Sequence, residues 1–260
     1  MKKIFKLIFL FALLIFFIGC EEAIQKPEKP SVAYQPIEDG AKLRLTWTRV
    51  ANADGYYIYV DGEKDTTLPS YTTSYDVSGP AKSVGVSAYR KNEESERWEL
   101  DLTPVISEVS VYGASDPDPN HPSGLALTDN GAIPLAIGNQ ANWPVLDYIF
   151  DDRPPFPSMS IVNPGPPHYS PPFNNRGNVI SGALTRSFEE ENMALPPNNY
   201  ETRREIAVYG VYYLWLDRDN DKQTTNDNFG KILIKAIDGK RVDIKVAYQK
   251  VKGLRWVKTK

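Results

Sequence analysis

Apolar and polar side chains alternate with a period of two at many points along the chain, and these stretches predict strands. Leu43, Leu45 and Trp47 alternate with Arg44 and Thr46, the pattern of a strand with one buried face. Residues 53–62 read Ala-Asp-Gly-Tyr-Tyr-Ile-Tyr-Val-Asp-Gly, a strand closed by an Asp-Gly hairpin turn at Asp61 and Gly62. Val84, Val86 and Ala88 alternate with Gly85 and Ser87, and Val105, Val109 and Val111 are expected to close the segment. Short strands at turn-marked spacing, without helical periodicity, predict a sandwich of two antiparallel sheets over residues 31–113.

Order of the same kind returns near the C-terminus. Over residues 206–216, Tyr209, Val211, Tyr213 and Trp215 share one face while Tyr212, Leu214 and Leu216 share the other. Both faces are apolar, which predicts a central strand covered on both sides. Strands over 229–236 and 240–249 follow as a hairpin. Alternation favours a three-residue turn, Ile237-Asp238-Gly239, setting Ile234 opposite Val242 and Ile232 opposite Ile244, with Gly239 left-handed.

Between these regions lie 15 of the 21 prolines, all within residues 114–200. Proline lacks the donor a sheet ladder needs, so the runs at 116–119, 154–157 and 164–167 exclude central strands. Apolar islands at 133–137, 145–150 and 159–162 interrupt them. Residues 114–124 read as an interdomain linker and 125–260 as a second β-rich domain with long Pro-rich loops. Such loops are the leading candidates for a binding surface. The expected fold class is all-β, an immunoglobulin-like sandwich followed by this second domain.

Residues 31–113 resemble a fibronectin type III domain. The likeness is carried by Leu45-Thr46-Trp47, by the Ala-x-Gly-Tyr-x-x-Tyr-x-Asp-Gly spacing of 53–62, by Tyr75 and Val77, and by residues 84–89, Val-Gly-Val-Ser-Ala-Tyr. Lys82 stands where that family places the tyrosine of its corner. Trp47 and Tyr57 are aromatic enough to stack on a sugar, but alternation places Trp47 in the core. From Tyr209 to Trp256 the order of features resembles the C-terminal β module of certain surface lipoproteins of Gram-negative bacteria, haem scavengers among them. That resemblance implies an all-β second domain and brings no ligand with it.

The N-terminus changes the picture. Lys2, Lys3 and Lys6 precede an apolar run ending at Ile18, and Phe17-Ile18-Gly19-Cys20 resembles the lipobox of bacterial lipoproteins. The run is short for a spanning helix, which needs roughly 20 residues. The resemblance implies a signal peptide over residues 1–19, a lipidated Cys20 as mature N-terminus, and a tether over 20–30. Glu21, where an aspartate would retain the protein in the inner membrane, implies the outer membrane of a Gram-negative bacterium, on its surface or its periplasmic face. A plain cleaved signal and an uncleaved anchor are the alternatives. Cleavage removes three lysines and no acid, leaving 27 basic against 33 acidic residues, a charge of −6. That balance excludes a nucleic-acid partner, which requires clustered cations. Cys20 is the only cysteine, so no disulfide is available.

Candidate chemistry is sparse. Asp217, Asp219 and Asp221 alternate like the carboxylates of a calcium loop, but Lys222 occupies the position that needs glycine and Asn228 the place of the closing glutamate, so a solvated loop is expected. His121 and His168, the only histidines, sit in proline-rich loops and offer two axial haem ligands at most. Glu189, Glu190 and Glu191, or Asp151 and Asp152, supply carboxylate pairs of the kind glycoside hydrolysis uses. No nucleophile motif, zinc-protease motif or phosphate-binding glycine loop is present. The expected function is therefore a lipid-anchored, non-catalytic binding or adhesion module without a cofactor or metal, its partner a protein or glycan. A small-ligand or metal-capturing lipoprotein and a glycan hydrolase are the alternatives.

Overall fold

The computed structural model describes residues 25–155 and 158–260; the expected signal segment and lipid site, residues 1–19 and Cys20, lie outside them. Eight strands build the first sandwich: β1 (Val32–Ile37), β2 (Lys42–Trp47), β3 (Gly55–Val60), β4 (Glu63–Pro69), β5 (Ser74–Ser78), β6 (Ser83–Arg90), β7 (Glu93–Glu94) and β8 (Trp98–Asp101). One sheet has the order β1-β2-β5 and the other β4-β3-β6, with β7 and β8 both paired to the outer edge of β6. Alternation decides which side chains meet between them. Leu43, Leu45 and Trp47 from β2 face Tyr56 and Ile58 from β3 and Val84, Val86 and Ala88 from β6. Trp47 is buried as expected, its ring 5.2 Å from that of Tyr56. The β3–β4 turn has both central residues left-handed, Asp61 at φ 51° and Gly62 at φ 85°, the two-residue turn that suits an Asp-Gly pair.

Among the described residues, eleven strands form the second unit: β9 (Val105–Tyr112), β10 (Gly124–Thr128), β11 (Gly131–Leu135), β12 (Tyr148–Asp151), β13 (Ser160–Val162), β14 (Val179–Ser181), β15 (Tyr200–Glu201), β16 (Arg203–Glu205), β17 (Val211–Leu216), β18 (Asn228–Asp238) and β19 (Arg241–Tyr248). A six-stranded sheet, β15-β14-β17-β18-β19-β9, packs on a five-stranded sheet, β11-β10-β12-β13-β16. Leu125, Leu127, Phe150 and Ile161 meet Leu214, Ile232, Ile244 and Val246 in the core between them. The other face of β17 is covered as well, since Tyr213 and Trp215 pack against Ala194, Tyr200 and Val257. The expectation of a central strand buried on both sides therefore holds for residues 211–216.

Four sequence expectations are corrected. Residues 105–112 were expected to close the first sandwich, but β9 pairs along its whole length with β19, and Val111 is buried in the second core. The edge of β6 is already occupied by β8, and Leu102 N–H donates to Lys82 O at 2.8 Å before Pro104 turns the chain away. Residues 114–124 then join β9 to β10 inside the second unit, with Ala114 N–H donating to Phe150 O at 2.9 Å, so the crossing between units falls near residues 102–104 rather than in that linker. Tyr209 is outside β17; it sits at φ 65°, 78% exposed, in a turn pinned by Tyr209 N–H to Ile234 O at 2.7 Å. Finally, the β18–β19 hairpin pairs Asp238 with Arg241 and Ile234 with Ile244, through a two-residue Gly239-Lys240 turn and a bulge at Lys235. The bulge absorbs the residue that the three-residue turn was invoked to absorb, so the same apolar faces meet one pair further along. Gly239 is left-handed at φ 57°, as expected.

The C-terminal segment joins the two units. Leu254 and Trp256 are fully buried in the first core, and Trp256 Nε1 donates to Ala41 O at 2.9 Å. A Cβ on Gly79 would lie 2.0 Å from the Trp256 ring, so only glycine admits the indole there. Arg255 donates from Nε to Asp39 O at 2.7 Å and from Nη1 to Ala194 O at 2.6 Å, linking the first sandwich to the second. Gln249 Nε2 donates to both Leu102 O and Trp256 O. Lys231, wholly buried, donates to the carbonyls of Phe188 and Glu191 and to Thr259 Oγ1, and burial brings its ammonium down to about 8.

Candidate functional site in the proline-rich loops

A cleft of about 410 Å³ opens at the β14–β15 edge of the six-stranded sheet. Its floor is apolar: Val179 from β14, Tyr200 from β15 and Trp215 from β17, with the Tyr200 and Trp215 rings edge to face at 5.8 Å. Its walls are loops. Asn163, Pro166 and Arg176 come from the β13–β14 connection, Pro197 and Asn198 from the turn before β15, and Asp217, Asn220 and Lys222 from the β17–β18 loop. Gly177 lets the first and third walls touch, because a Cβ there would fall 2.4 Å from Asp217 Oδ2; its N–H donates to Asp217 O at 2.7 Å.

The proline-rich wall is held in place by side chains. Asn163 Oδ1 accepts from Gly165 N–H at 2.9 Å, and Phe173 N–H donates to Pro164 O at 3.1 Å. Phe173 sits edge-on to both Trp143 and Tyr169, each at 4.9 Å. Asn174 Nδ2 donates to the carbonyls of Trp143 and Leu146. Beneath the loop lies Asp147, fully buried, which pairs with Arg176 and Arg218 and accepts from Leu127 N–H at 2.7 Å. The Asp147 carboxylate beside it pushes the Arg218 guanidinium up against the opposing effect of burial. Asn178 Nδ2 donates to Asp147 O at 2.9 Å and closes the network.

An acidic corner adjoins the floor. Carboxylate oxygens of Asp217, Asp221 and Asp227 lie within 4.8 Å of one another, the first and last residues buried. Trp215 Nε1 donates to Asp227 Oδ2 at 2.6 Å. Burial, reinforced by the charges of Asp217, Asp219 and Asp221, pushes the Asp227 carboxyl up to about 7. Burial raises Asp217 too, against the backbone N–H groups that favour its ionised form. The alternation of 217, 219 and 221 suggested one set of ligands; the fold assembles another, with Asp219 left out and Asp227 brought in from beyond the loop. Three clustered carboxylates can hold a proton at neutral pH or oxygen-ligate a hard cation.

The remaining candidates are taken up by neighbours. His121 bonds to Asp116 at 2.9 Å and stacks on Tyr112, while His168 Nε2 bonds to Thr202 Oγ1 at 2.9 Å beside the cleft. Asp151 pairs with Arg153 and accepts from Tyr169, and Asp152 pairs with Lys240 and accepts from Ser115. Glu189 pairs with Lys245, Glu190 caps Ser187, and Glu191 accepts from Tyr213. Tyr57 stacks on Tyr89 at 4.3 Å. Asn198, Tyr200 and Asp227 carry no signal in the sequence; Trp215 was marked there only as part of an aromatic-rich strand.

No family model matches the chain, and no curated protein matches it in sequence. Among solved structures, a DUF4466 family protein from Parabacteroides merdae superposes with a TM-score of 0.40 at 10% identity, covering 89% of this chain and 96% of that one. A two-domain fibronectin type III segment of chicken tenascin gives 0.25 at 16% identity, covering 87% of this chain and 100% of that one. The spore cortex lytic enzyme SleM of Clostridium perfringens gives 0.25 at 22% identity over 28% of this chain and 27% of its own length. Likenesses at these scores carry no inference about what this chain does.

Proposed function

We propose that the chain is a non-catalytic binding module of the cell envelope, anchored through a lipidated Cys20 to the outer membrane of a Gram-negative bacterium, taking its ligand in the loop-walled cleft. The observation that supports this reading is the cleft itself: an apolar floor with amides, a guanidinium, an ammonium and a carboxylate converging on it, the mix of a site that orients a polar ligand. Its walls are preorganised by the Asp147 network, which lowers the ordering cost of binding. The carboxylate pairs the sequence offered for glycoside hydrolysis, Asp151 with Asp152 and Glu189 with Glu190, are engaged in ion pairs and a cap, which weighs against those pairs as catalysts. The ligand is expected to be a glycan or a peptide.

The test is an array of glycans and peptides probed with residues 21–260, comparing wild type with Asn198→Trp, which fills the cleft mouth from an exposed position. A ligand whose binding falls at least tenfold in the filled variant, at unchanged melting temperature, supports the reading. Ligands bound equally by both place the site elsewhere. The anchor is tested separately, by fatty-acid labelling of wild type and Cys20→Ala.

A further inference from the structure

The first sandwich has one covered end and one free end. At the covered end, Asp39 and Ala41 of the β1–β2 turn accept from Arg255 and Trp256, and Asp61 of the β3–β4 turn pairs with Lys258. At the opposite end the chain enters the fold, with Thr48 N–H donating to Ser31 O at 3.4 Å. Three connections gather there, because Gly55 lies opposite both Pro69 and Tyr89 while Thr46 lies opposite both Ala33 and Ser74. They are residues 48–54, residues 69–73 and the β6–β7 turn.

This free end combines an unpacked aromatic with positive charge. Tyr71 is 76% exposed. Arg49 and Lys91 are exposed and Arg90 half-buried, with Lys26 and Lys29 exposed on the incoming chain, against the acids Glu28, Asp54 and Glu93. Asp54 is turned to the protein, accepting from Lys91 N–H at 2.7 Å. The folded surface here is thus net positive on a mature chain of net charge −6. Pro27 and Pro30 are already buried, so only the seven-residue step from Cys20 to Pro27 separates a lipidated cysteine from the packed chain, a reach of roughly 25 Å.

We infer that this end of the sandwich docks on an anionic lipid bilayer, with Tyr71 in the headgroup layer and Arg49, Arg90 and Lys91 against lipid phosphates. A tyrosine ring suits that boundary because its body is apolar and its hydroxyl stays wet. The basic side chains gain from the surface potential of anionic lipid within a Debye length. The unit carrying the cleft is attached at the opposite end and is held away from the membrane. The short reach rests on the lipid-anchor reading, whereas the chemistry of the face stands without it.

The experiment therefore uses the chain from Glu21, which contains every described strand and no cysteine. Its partition is measured onto vesicles of equal parts phosphatidylethanolamine and phosphatidylglycerol, and onto vesicles of phosphatidylcholine alone. Salt-sensitive binding to the anionic vesicles is expected, reduced roughly thirtyfold by Arg49→Gln with Lys91→Gln and weakened again by Tyr71→Ser. A fluorophore on Thr73→Cys is expected to be quenched by brominated lipid and one on Glu63→Cys, at the covered end, to be spared. Absence of binding, equal binding to phosphatidylcholine, or equal quenching of the two labels would overturn the inference. Failure of the fatty-acid labelling alone removes the anchor and leaves these outcomes readable.

Discussion

Asp227→Asn isolates the acidic corner from the rest of the fold. The wild-type carboxyl is buried among Asp217, Asp219 and Asp221 and titrates at about 7 instead of the usual 3.8, so the folded state binds a proton that the unfolded chain has released. A raised carboxyl makes stability greatest below the unfolded value and erodes it as pH rises through the folded one. At 1.36 kcal/mol per unit, a displacement of about three units amounts to about 4 kcal/mol, of which about 2 kcal/mol falls between pH 5 and 7. Asparagine keeps an oxygen for Trp215 Nε1 and cannot ionise. Urea unfolding of both proteins at half-unit intervals from pH 5 to 8, followed by tryptophan fluorescence, gives the difference curve directly. The variant is expected to gain on wild type by about 2 kcal/mol between pH 5 and 7 and to level off towards pH 8. A difference that stays constant across that range would refute the claim that Asp227 holds a proton in the folded protein.

Two further outcomes follow from the packing. Trp256→Ala should cost about 3–5 kcal/mol, as large aromatic truncations in cores do, even though only four residues of the sequence follow it; a loss below about 1 kcal/mol in urea unfolding would mean the segment does not fill the first core. Tyr209→Gly should raise stability by about 0.5–1 kcal/mol, because a left-handed tyrosine is strained and its exposed ring contributes little packing; a lower melting temperature would show that the ring does more than the turn requires.

The strands were legible wherever one face was buried, because alternation records which side chains point inward. Leu43, Leu45 and Trp47 showed their face in sequence, and so did Val242, Ile244 and Val246. Partnership was not legible. Val105, Val109 and Val111 alternate equally well whether their strand closes the first sandwich or extends the second sheet, and only the prior occupation of the β6 edge decides it. Register within the last hairpin failed for a related reason: a bulge and a longer turn both restore facing apolar pairs, and the sequence does not separate them. Trp256 sits in a short segment without periodicity, so nothing in its neighbourhood marked it as a core residue of the other unit. Asp227 was missed because the corner it completes is made by the chain's return, ten residues after Asp217.

The proline-rich third illustrates the limit more sharply. Lack of a backbone donor keeps proline out of a ladder, and residues 163–178 do lie outside the sheets. That exclusion does not make the stretch loose, because a backbone without ladder partners still has to satisfy its polar groups. Here the partners are side chains and local turns: Asn163 to Gly165, Asn174 to Trp143 and Leu146, Asn178 and Arg176 to the buried Asp147. Composition alone separates such a packed loop from a flexible linker only through its polar and aromatic side chains, which are spread over Trp143, Asp147, Tyr169, Phe173 and Asn174 and meet only in three dimensions. If the cleft binds as proposed, a wall fixed in this way needs little ordering on binding, so mutations in the Asp147 network are expected to weaken binding by loosening the wall, without touching the ligand.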